Sequence, residues 1–223
     1  MNKHSVFVVF DLDDTLYKEI DFLESAYCEI AGIIGEKLKV DSSFIYEDMK
    51  NWYYEGSNAF NNLLKKYKPS DVSLNDLISL YRNHIPEIAL PDESREVLTM
   101  LKKQNIPMGI MTDGRSVQQR NKIKALGLEN FTEFILISEE FGSEKPDIRN
   151  YKYFMENYPS SKYFYIGDNT AKDFISARKL GWTTICLLDS GKNIHKQNFN
   201  LPEAYLPNYK VKNIAEVLRH LFS

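Results

Sequence analysis

Val6-Phe7-Val8-Val9-Phe10 is apolar at five successive positions and then stops on Asp11-Leu12-Asp13-Asp14-Thr15. A strand with one wet face alternates apolar and polar side chains. An unbroken run instead suits a strand covered on both faces of a parallel sheet. Similar short runs recur at 108–111, 134–137, 163–166 and 184–188. Between the later runs lie segments with helical spacing: Val97 and Leu101 are four apart, and Phe174, Ala177 and Leu180 are three apart. Gly181 follows the second of these, and Gly127 follows a segment at 116–126, each as an expected helix stop. Strand and helix alternating through short loops predict an α/β fold with a doubly wound parallel sheet.

Residues 18–90 break that alternation. Leu23, Ala26, Tyr27, Ile30 and Ile34 have 3–4 spacing, as do Ile45, Met49, Trp52 and Tyr53. The pattern repeats in Phe60, Leu63, Leu64 and Tyr67, and in Leu74, Leu77, Ile78 and Tyr81. This predicts four amphipathic helices in a row with no strand between them, inserted after the first strand. Breaks are expected at Val40-Asp41, at 54–57 and at 68–71. The stretch 190–207 reads as loop, and Val211 as the opening of a last short strand before a helix carrying Ile214, Val217, Leu218 and Leu221.

Composition narrows the function class. With 28 basic against 31 acidic residues, net −3, the chain lacks the basic footprint of a nucleic-acid binder. Its apolar runs are too short to span a bilayer, and the first is too short and too soon charged for a signal peptide. Cys28 and Cys186 lie far apart and read as two small, buried, unpaired residues. That usage fits a reducing, cytoplasmic compartment.

Chemistry concentrates at the ends of the apolar runs. Carboxylates beside a buried strand repel one another and lose hydration, and they persist where a metal ion or bound group offsets that cost. Asp and Thr after a strand can also cap the next turn. The second run ends at Thr112-Asp113-Gly114 and opens a helix, where a hydroxyl and free N–H groups make an anion site. Lys145 stands before Pro146 at another helix start; alone it would read as a solvated side chain. The run at 163–166 ends at Gly167-Asp168, with Asp173 expected in the first helical turn, where the helix dipole tolerates negative charge. Ligands of an open parallel sheet bind at these carboxyl ends.

An acidic pair, a Thr, a Lys and a second acidic pair, in that order, resemble the motifs of the haloacid dehalogenase superfamily. The resemblance spans essentially the whole chain and includes the helical insertion. It implies a Rossmann-like core of residues 1–17 and 91–223, with a four-helix cap of residues 18–90. It implies that Asp11 is the nucleophile and Asp13 the general acid/base. Thr112, Asp113, Gly114 and Lys145 would hold the substrate phosphate, with Lys145 also orienting the nucleophile. Mg2+ would be held by Asp11, the backbone carbonyl of Asp13, and Asp168, with Asp173 acting through water or as a partner of Lys145. Asp113 stands where the family often has Asn, and Tyr151 where it often has an aromatic residue.

The family's dehalogenase branch lacks the second Asp, and its phosphonate-cleaving branch has a small residue there. Asp13 therefore implies a phosphomonoesterase acting through an aspartyl phosphate. Its substrate would be a small phosphate ester, a sugar phosphate or nucleoside monophosphate. Leu16-Tyr17 resembles the branch that includes pyrimidine nucleotidases. Sugar-phosphate mutases also keep the second Asp and stand as the alternative, beside a non-catalytic binding module. Four carboxylates, one Lys and Mg2+ sum to about −1, and protonating Asp13 would offset part of a bound phosphate's charge. Trp52, Tyr53 and the segment from Tyr54 to Asn58 are the expected readers of the leaving group.

Overall fold

A computed structural model describes residues 4–222. Strand β1 (His4–Phe10) is followed by four helices, α1 (Glu19–Leu38), α2 (Ser42–Tyr54), α3 (Ala59–Tyr67) and α4 (Leu74–Asn83). Alternation then begins with α5 (Asp92–Lys103), β2 (Met108–Thr112), α6 (Ser116–Ala125), β3 (Ile135–Ile137) and the single turn α7 (Ser138–Phe141). It continues with α8 (Ile148–Asn157), β4 (Ser160–Gly167), α9 (Ile175–Lys179), β5 (Thr183–Leu187), β6 (Tyr209–Val211) and α10 (Val217–Leu221).

The six strands form one sheet in the order β3-β2-β1-β4-β5-β6, with every pairing parallel. Phe7, Val8, Val9 and Phe10 are fully buried, as the unbroken apolar run predicts. Successive side chains of a strand point to opposite faces. Val8 and Phe10 accordingly join the cluster under α5 and α6, while Phe7 and Val9 join the cluster with Tyr151, Phe154 and Trp182. The chain turns to opposite sides of β1 to form β2 and β4. The carboxyl end of β1 is therefore the point where the winding direction reverses, and a crevice opens there.

The helical block between β1 and α5 has its own apolar cluster of Leu23, Tyr27, Ile30, Ile34, Ile45, Met49, Leu63 and Leu77. Its breaks fall at side-chain caps: Asp41 accepts from Ser43 N, Asn58 from Asn61 N, and Ser73 forms a capping box with Asp76. Each such cap stabilises its helix by about 1 kcal/mol. Phe22 belongs to the sheet cluster, and Tyr81 packs against both clusters. The block is thereby seated on the sheet at the end where β1 stops.

Several expectations need adjustment. Asp173 lies in a turn ahead of α9, its N–H donated to Asn169 O at 3.0 Å, and not in the helix itself. The short β6 ends at Val211 instead of starting there, because Ile214 already turns into the final helical segment. Cys186 is buried and Cys28 exposed, and the two are unpaired. Cys28 follows the buried Ala26 and Tyr27 on α1 and falls on the helix's outer face. Gly181, at φ 77°, does end α9.

Candidate active site

The ends of β1, β2 and β4 converge on a cavity of about 90 Å3 lined by Asp11, Asp13, Asp14, Glu19, Thr112, Asp113, Lys145, Asp168, Asn169, Lys172 and His195. Asp11 N donates to Ile166 O at 2.8 Å, so β1 stays paired with β4 to its last residue. Lys145 is buried, with its Nζ 2.7 Å from Asp11 Oδ1, 2.9 Å from Asp173 Oδ1 and 3.1 Å from the Tyr165 hydroxyl. Burial pushes the Lys145 ammonium's pKa down, but the charges of Asp11 and Asp173 outweigh it and hold the group well above its ordinary range.

Asp173 is fully buried and engaged on both oxygens. Oδ1 meets Lys145 and accepts from Tyr165 at 3.3 Å; Oδ2 accepts from Asp168 N at 3.1 Å and Asn169 N at 2.8 Å. Tyr151 donates to the Asp173 carbonyl at 2.8 Å and fixes the turn. Gly167 is required here, because a Cβ at that position would collide with the Asp173 carboxylate.

Carboxylate oxygens of Asp11, Asp168 and Asp173 lie within 4.8 Å of one another. Burial, only partly offset by Lys145, pushes Asp11 up to about 7. Burial together with Asp11 and Asp173 pushes Asp168 up to about 9. Hard oxygen donors crowded this closely suit a small divalent cation, which would restore the ordinary carboxylate charge. Asp168 Oδ2 also accepts from Asn193 Nδ2 at 2.9 Å, and Asn193 Oδ1 accepts from Lys18 Nζ at 2.6 Å. Ile194 N reaches Asp14 Oδ2 at 2.9 Å. The segment after β5 thus folds back over the acidic end of the cavity, and His195 comes to its wall.

Asp13 also lines the cavity. Its Oδ1 accepts from the Tyr17 hydroxyl at 2.6 Å and from Lys122 Nζ at 2.7 Å, and its Oδ2 from Gln119 Nε2 at 2.8 Å. Burial pushes this carboxyl up, but Lys122, Tyr17 and Gln119 outweigh it and hold Asp13 below the usual carboxylate range. The carboxylate form is therefore the resting form.

Thr112 is buried at the end of β2, its hydroxyl accepting from Gln119 Nε2. The Asp113 side chain is engaged on both oxygens, Oδ1 accepting from Lys145 N at 3.0 Å and Oδ2 pairing with Lys172 at 2.7 Å. Gly114 donates its N–H to Ser138 Oγ at 2.9 Å and lies outside the cavity wall. Of the helical block, only Glu19 lines the cavity. Burial and the Asp13 charge push its carboxyl up to about 8, against the opposing pull of Lys122. Of the expected readers, Tyr54 is 65% exposed with its hydroxyl on Glu24, Asn58 caps α3, and Trp52 and Tyr53 pack against the block's own cluster. Burial and the nearby Glu19 and Asp14 charges push the Tyr53 hydroxyl up, so this ring stands beside the cavity's carboxylates.

Gln119, Lys122, Lys172, Glu19, Asn193 and His195 were not among the sequence candidates. For two of them a signal existed. Gln119, Lys122, Ile123 and Leu126 share one helical face, so two polar residues stood on a stripe that buries its apolar members.

Residues 8–187 match the family model described as haloacid dehalogenase-like hydrolase. The chain belongs to that family. Among curated proteins the hydrolase is similar to the glyceraldehyde 3-phosphate phosphatase of Methanocaldococcus jannaschii, at 29% identity over 81% of this chain and 84% of that protein. The protein of the same name from Pyrococcus abyssi is 30% identical over 80% and 79% of the two chains. Pyrimidine 5'-nucleotidase YjjG of Escherichia coli is 23% identical over 94% and 95%. Among solved structures, the putative hydrolase YfnB of Bacillus subtilis superposes with a TM-score of 0.66 at 22% identity, over 98% of this chain and 99% of that one. The 2-haloacid dehalogenase of Pseudomonas syringae superposes at 0.61 and 19% identity, over 98% of each chain. Fold likeness extends to solved structures named as phosphatase and as dehalogenase alike, so the fold alone does not select the reaction.

Proposed function

We propose that this hydrolase is a Mg2+-dependent phosphatase that cleaves a small phosphomonoester, a sugar phosphate or nucleoside monophosphate, through a phosphate ester on Asp11. The observation that carries this reading is the second carboxylate. Asp13 shares the cavity with Asp11, and proton-donating and proton-accepting chemistry at a leaving alcohol needs such a group. The names of the curated relatives point the same way, since they include phosphatases of glyceraldehyde 3-phosphate and ribulose 1,5-bisphosphate and a pyrimidine nucleotidase.

Asp11 Oδ1 is held by Lys145, which leaves Oδ2 to attack phosphorus. A bond forms from Asp11 to phosphorus, the bond from phosphorus to the ester oxygen breaks, and Asp13 delivers its proton to that oxygen. In the second half Asp13, now a carboxylate, takes a proton from water as the water oxygen attacks phosphorus. The Asp11–phosphorus bond breaks and inorganic phosphate is released. Splitting the displacement in two lowers each barrier. Asp13 rests as the base; the negative charge of a bound phosphate raises its carboxyl and favours the acid form needed first.

Thr112 and Lys145 would hold the phosphoryl oxygens. Asp11, Asp168 and the Asp13 carbonyl would hold Mg2+. Asp173, engaged on both oxygens, fits the part of Lys145 partner. Bound Mg2+ would offset charge on the nucleophile and the phosphoryl group. The solved structure of YfnB is described as bound to magnesium and as revealing interdomain movement. By the same logic, residues 18–90 would act as a cap over a core of 1–17 and 91–223, opening to exchange substrate and product. Among the described residues no helix is long and apolar enough to cross a membrane.

The test is a screen of the purified protein with Mg2+ against sugar phosphates, nucleoside monophosphates and 2-haloacids. Phosphate release from at least one ester class, with no halide release, is the expected result. Halide release without phosphate release would overturn the reading.

A further inference from the structure

Among the described residues, Lys122 is the most deeply buried cation that the family motifs leave unexplained. It projects from α6, and its side chain is 1% exposed. Taking an ammonium out of water costs several kcal/mol unless charges and hydrogen bonds answer it. Here they do: Asp13 Oδ1 stands 2.7 Å away, Glu19 Oε1 3.5 Å away, and the Phe22 ring centroid 4.6 Å away. A core that needed only volume at this position would hold Leu or Met, so the charge has a use.

The use is visible in what surrounds Asp13. Its carboxylate is held by three donors from two elements, Tyr17 from its own loop and Gln119 and Lys122 from α6. Gln119 and Lys122 are three residues apart and share a helix face. The same Gln119 amide also reaches the Thr112 hydroxyl. Helix α6, which starts directly after the Thr112–Gly114 turn, therefore aims the Asp13 carboxylate and the Thr112 hydroxyl together. Only Lys122 brings charge to that grip. Among the described residues it is also the only cation paired with Asp13.

Resting on the phosphatase reading above, we propose that Lys122 is a positioning residue, which holds the Asp13 carboxyl group in line with the ester oxygen for proton transfer. Through Glu19, the first residue of α1, it also ties that group to the foot of the helical block. Lys122 does not itself touch the substrate. Phosphate binding, which uses Thr112 and Lys145, is independent of it.

The ester's leaving group makes the role testable. An alkyl phosphate needs its departing oxygen protonated, whereas a nitrophenyl phosphate hardly does. In Lys122→Met, rapid-quench release of the first equivalent of alcohol should slow on the order of 10- to 100-fold for an alkyl phosphate. The same step with nitrophenyl phosphate should change by less than about twofold, and inhibition by inorganic phosphate should be unaltered. Should the Met variant fail to fold with Asp13 and Glu19 unpaired, Lys122→Arg keeps the charge but displaces the donor. It should show the same ester-selective loss to a smaller degree. Equal losses for both esters, or no loss for either, would overturn the positioning role. A wild-type protein that turns over neither ester would overturn the phosphatase reading instead, so the two failures are distinguishable.

Discussion

The Asp113 carboxylate and the Lys172 ammonium meet at 2.7 Å between the turns that follow β2 and β4. Asp113 also accepts the backbone N–H of Lys145, so one side chain links three of the loops that form the cavity. A carboxylate at this position places negative charge beside the proposed phosphate site, and Lys172 answers it. Burial and the nearby Lys145 push the Lys172 ammonium down, but Asp113 and Asp11 outweigh them and keep it above its ordinary value.

This pair gives a double-mutant test. Lys172→Met leaves the Asp113 charge unanswered and should raise both KM and the inhibition constant for inorganic phosphate, on the order of tenfold. Adding Asp113→Asn to that variant should recover most of the loss, giving a coupling of about 0.5–3 kcal/mol. Additive effects of the two changes would show that the pair does not act as a unit.

Metal dependence and pH dependence are linked. Asp11 at about 7 and Asp168 at about 9 both lie above the 3.8 of an ordinary Asp. The folded, metal-free protein therefore holds more protons than the unfolded chain between about pH 4 and pH 9. Its stability is fullest below the unfolded value and is lost as the pH rises through 7 and then 9. Thermal unfolding in EDTA should accordingly show a Tm that falls from mildly acidic to mildly alkaline buffer. Mg2+ should raise Tm more at the alkaline end, where the carboxylates are ready to bind it, and should restore the activity that EDTA removes. A metal-free Tm that climbs with pH across this range would contradict the assignment of the acidic cluster.

Leaving-group selectivity should follow the cavity wall. Glu19 lines the cavity and Tyr54 does not. Glu19→Gln should change kcat/KM among different phosphate esters by unequal factors, up to about a hundredfold, while Tyr54→Phe should leave the ranking of esters intact. Steady-state kinetics on a panel of esters decides between them. A reordered ranking in the Tyr54 variant would move recognition out to the α2–α3 turn.

Most of the fold was legible because it depends on one-dimensional patterns. Unbroken apolar runs marked β1, β2, β4 and β5, and 3–4 spacing with Asp41, Asn58 and Ser73 at the breaks marked the four inserted helices. The short β6 and the turn around Asp173 were misplaced, since a few residues carry too little periodicity to fix an edge. At the site, Asp11, Thr112 and Asp168 stood out because each closes or directly follows a strand, whereas Asp13 and Lys145 lie in turns and stood out through the order of the motifs. Lys172, Asn193 and His195 were not, because they arrive from a turn and a long loop whose path no local pattern sets. Tyr54 and Asn58 looked like recognition residues from their loop position, but they lie outside the cavity lining, which Glu19 at the start of α1 joins.

The central claim is that Asp11 carries the phosphoryl group. Brief mixing of the enzyme with a radiolabelled, activated aryl phosphate, followed by acid quench, should trap label on the wild-type protein. Asp11→Asn should trap none while still folding and binding inorganic phosphate. Asp13→Asn should trap label that decays slowly, since no base then prepares the water. Equal labelling of the two variants, or label mapped by peptide digestion to a residue other than Asp11, would contradict the account.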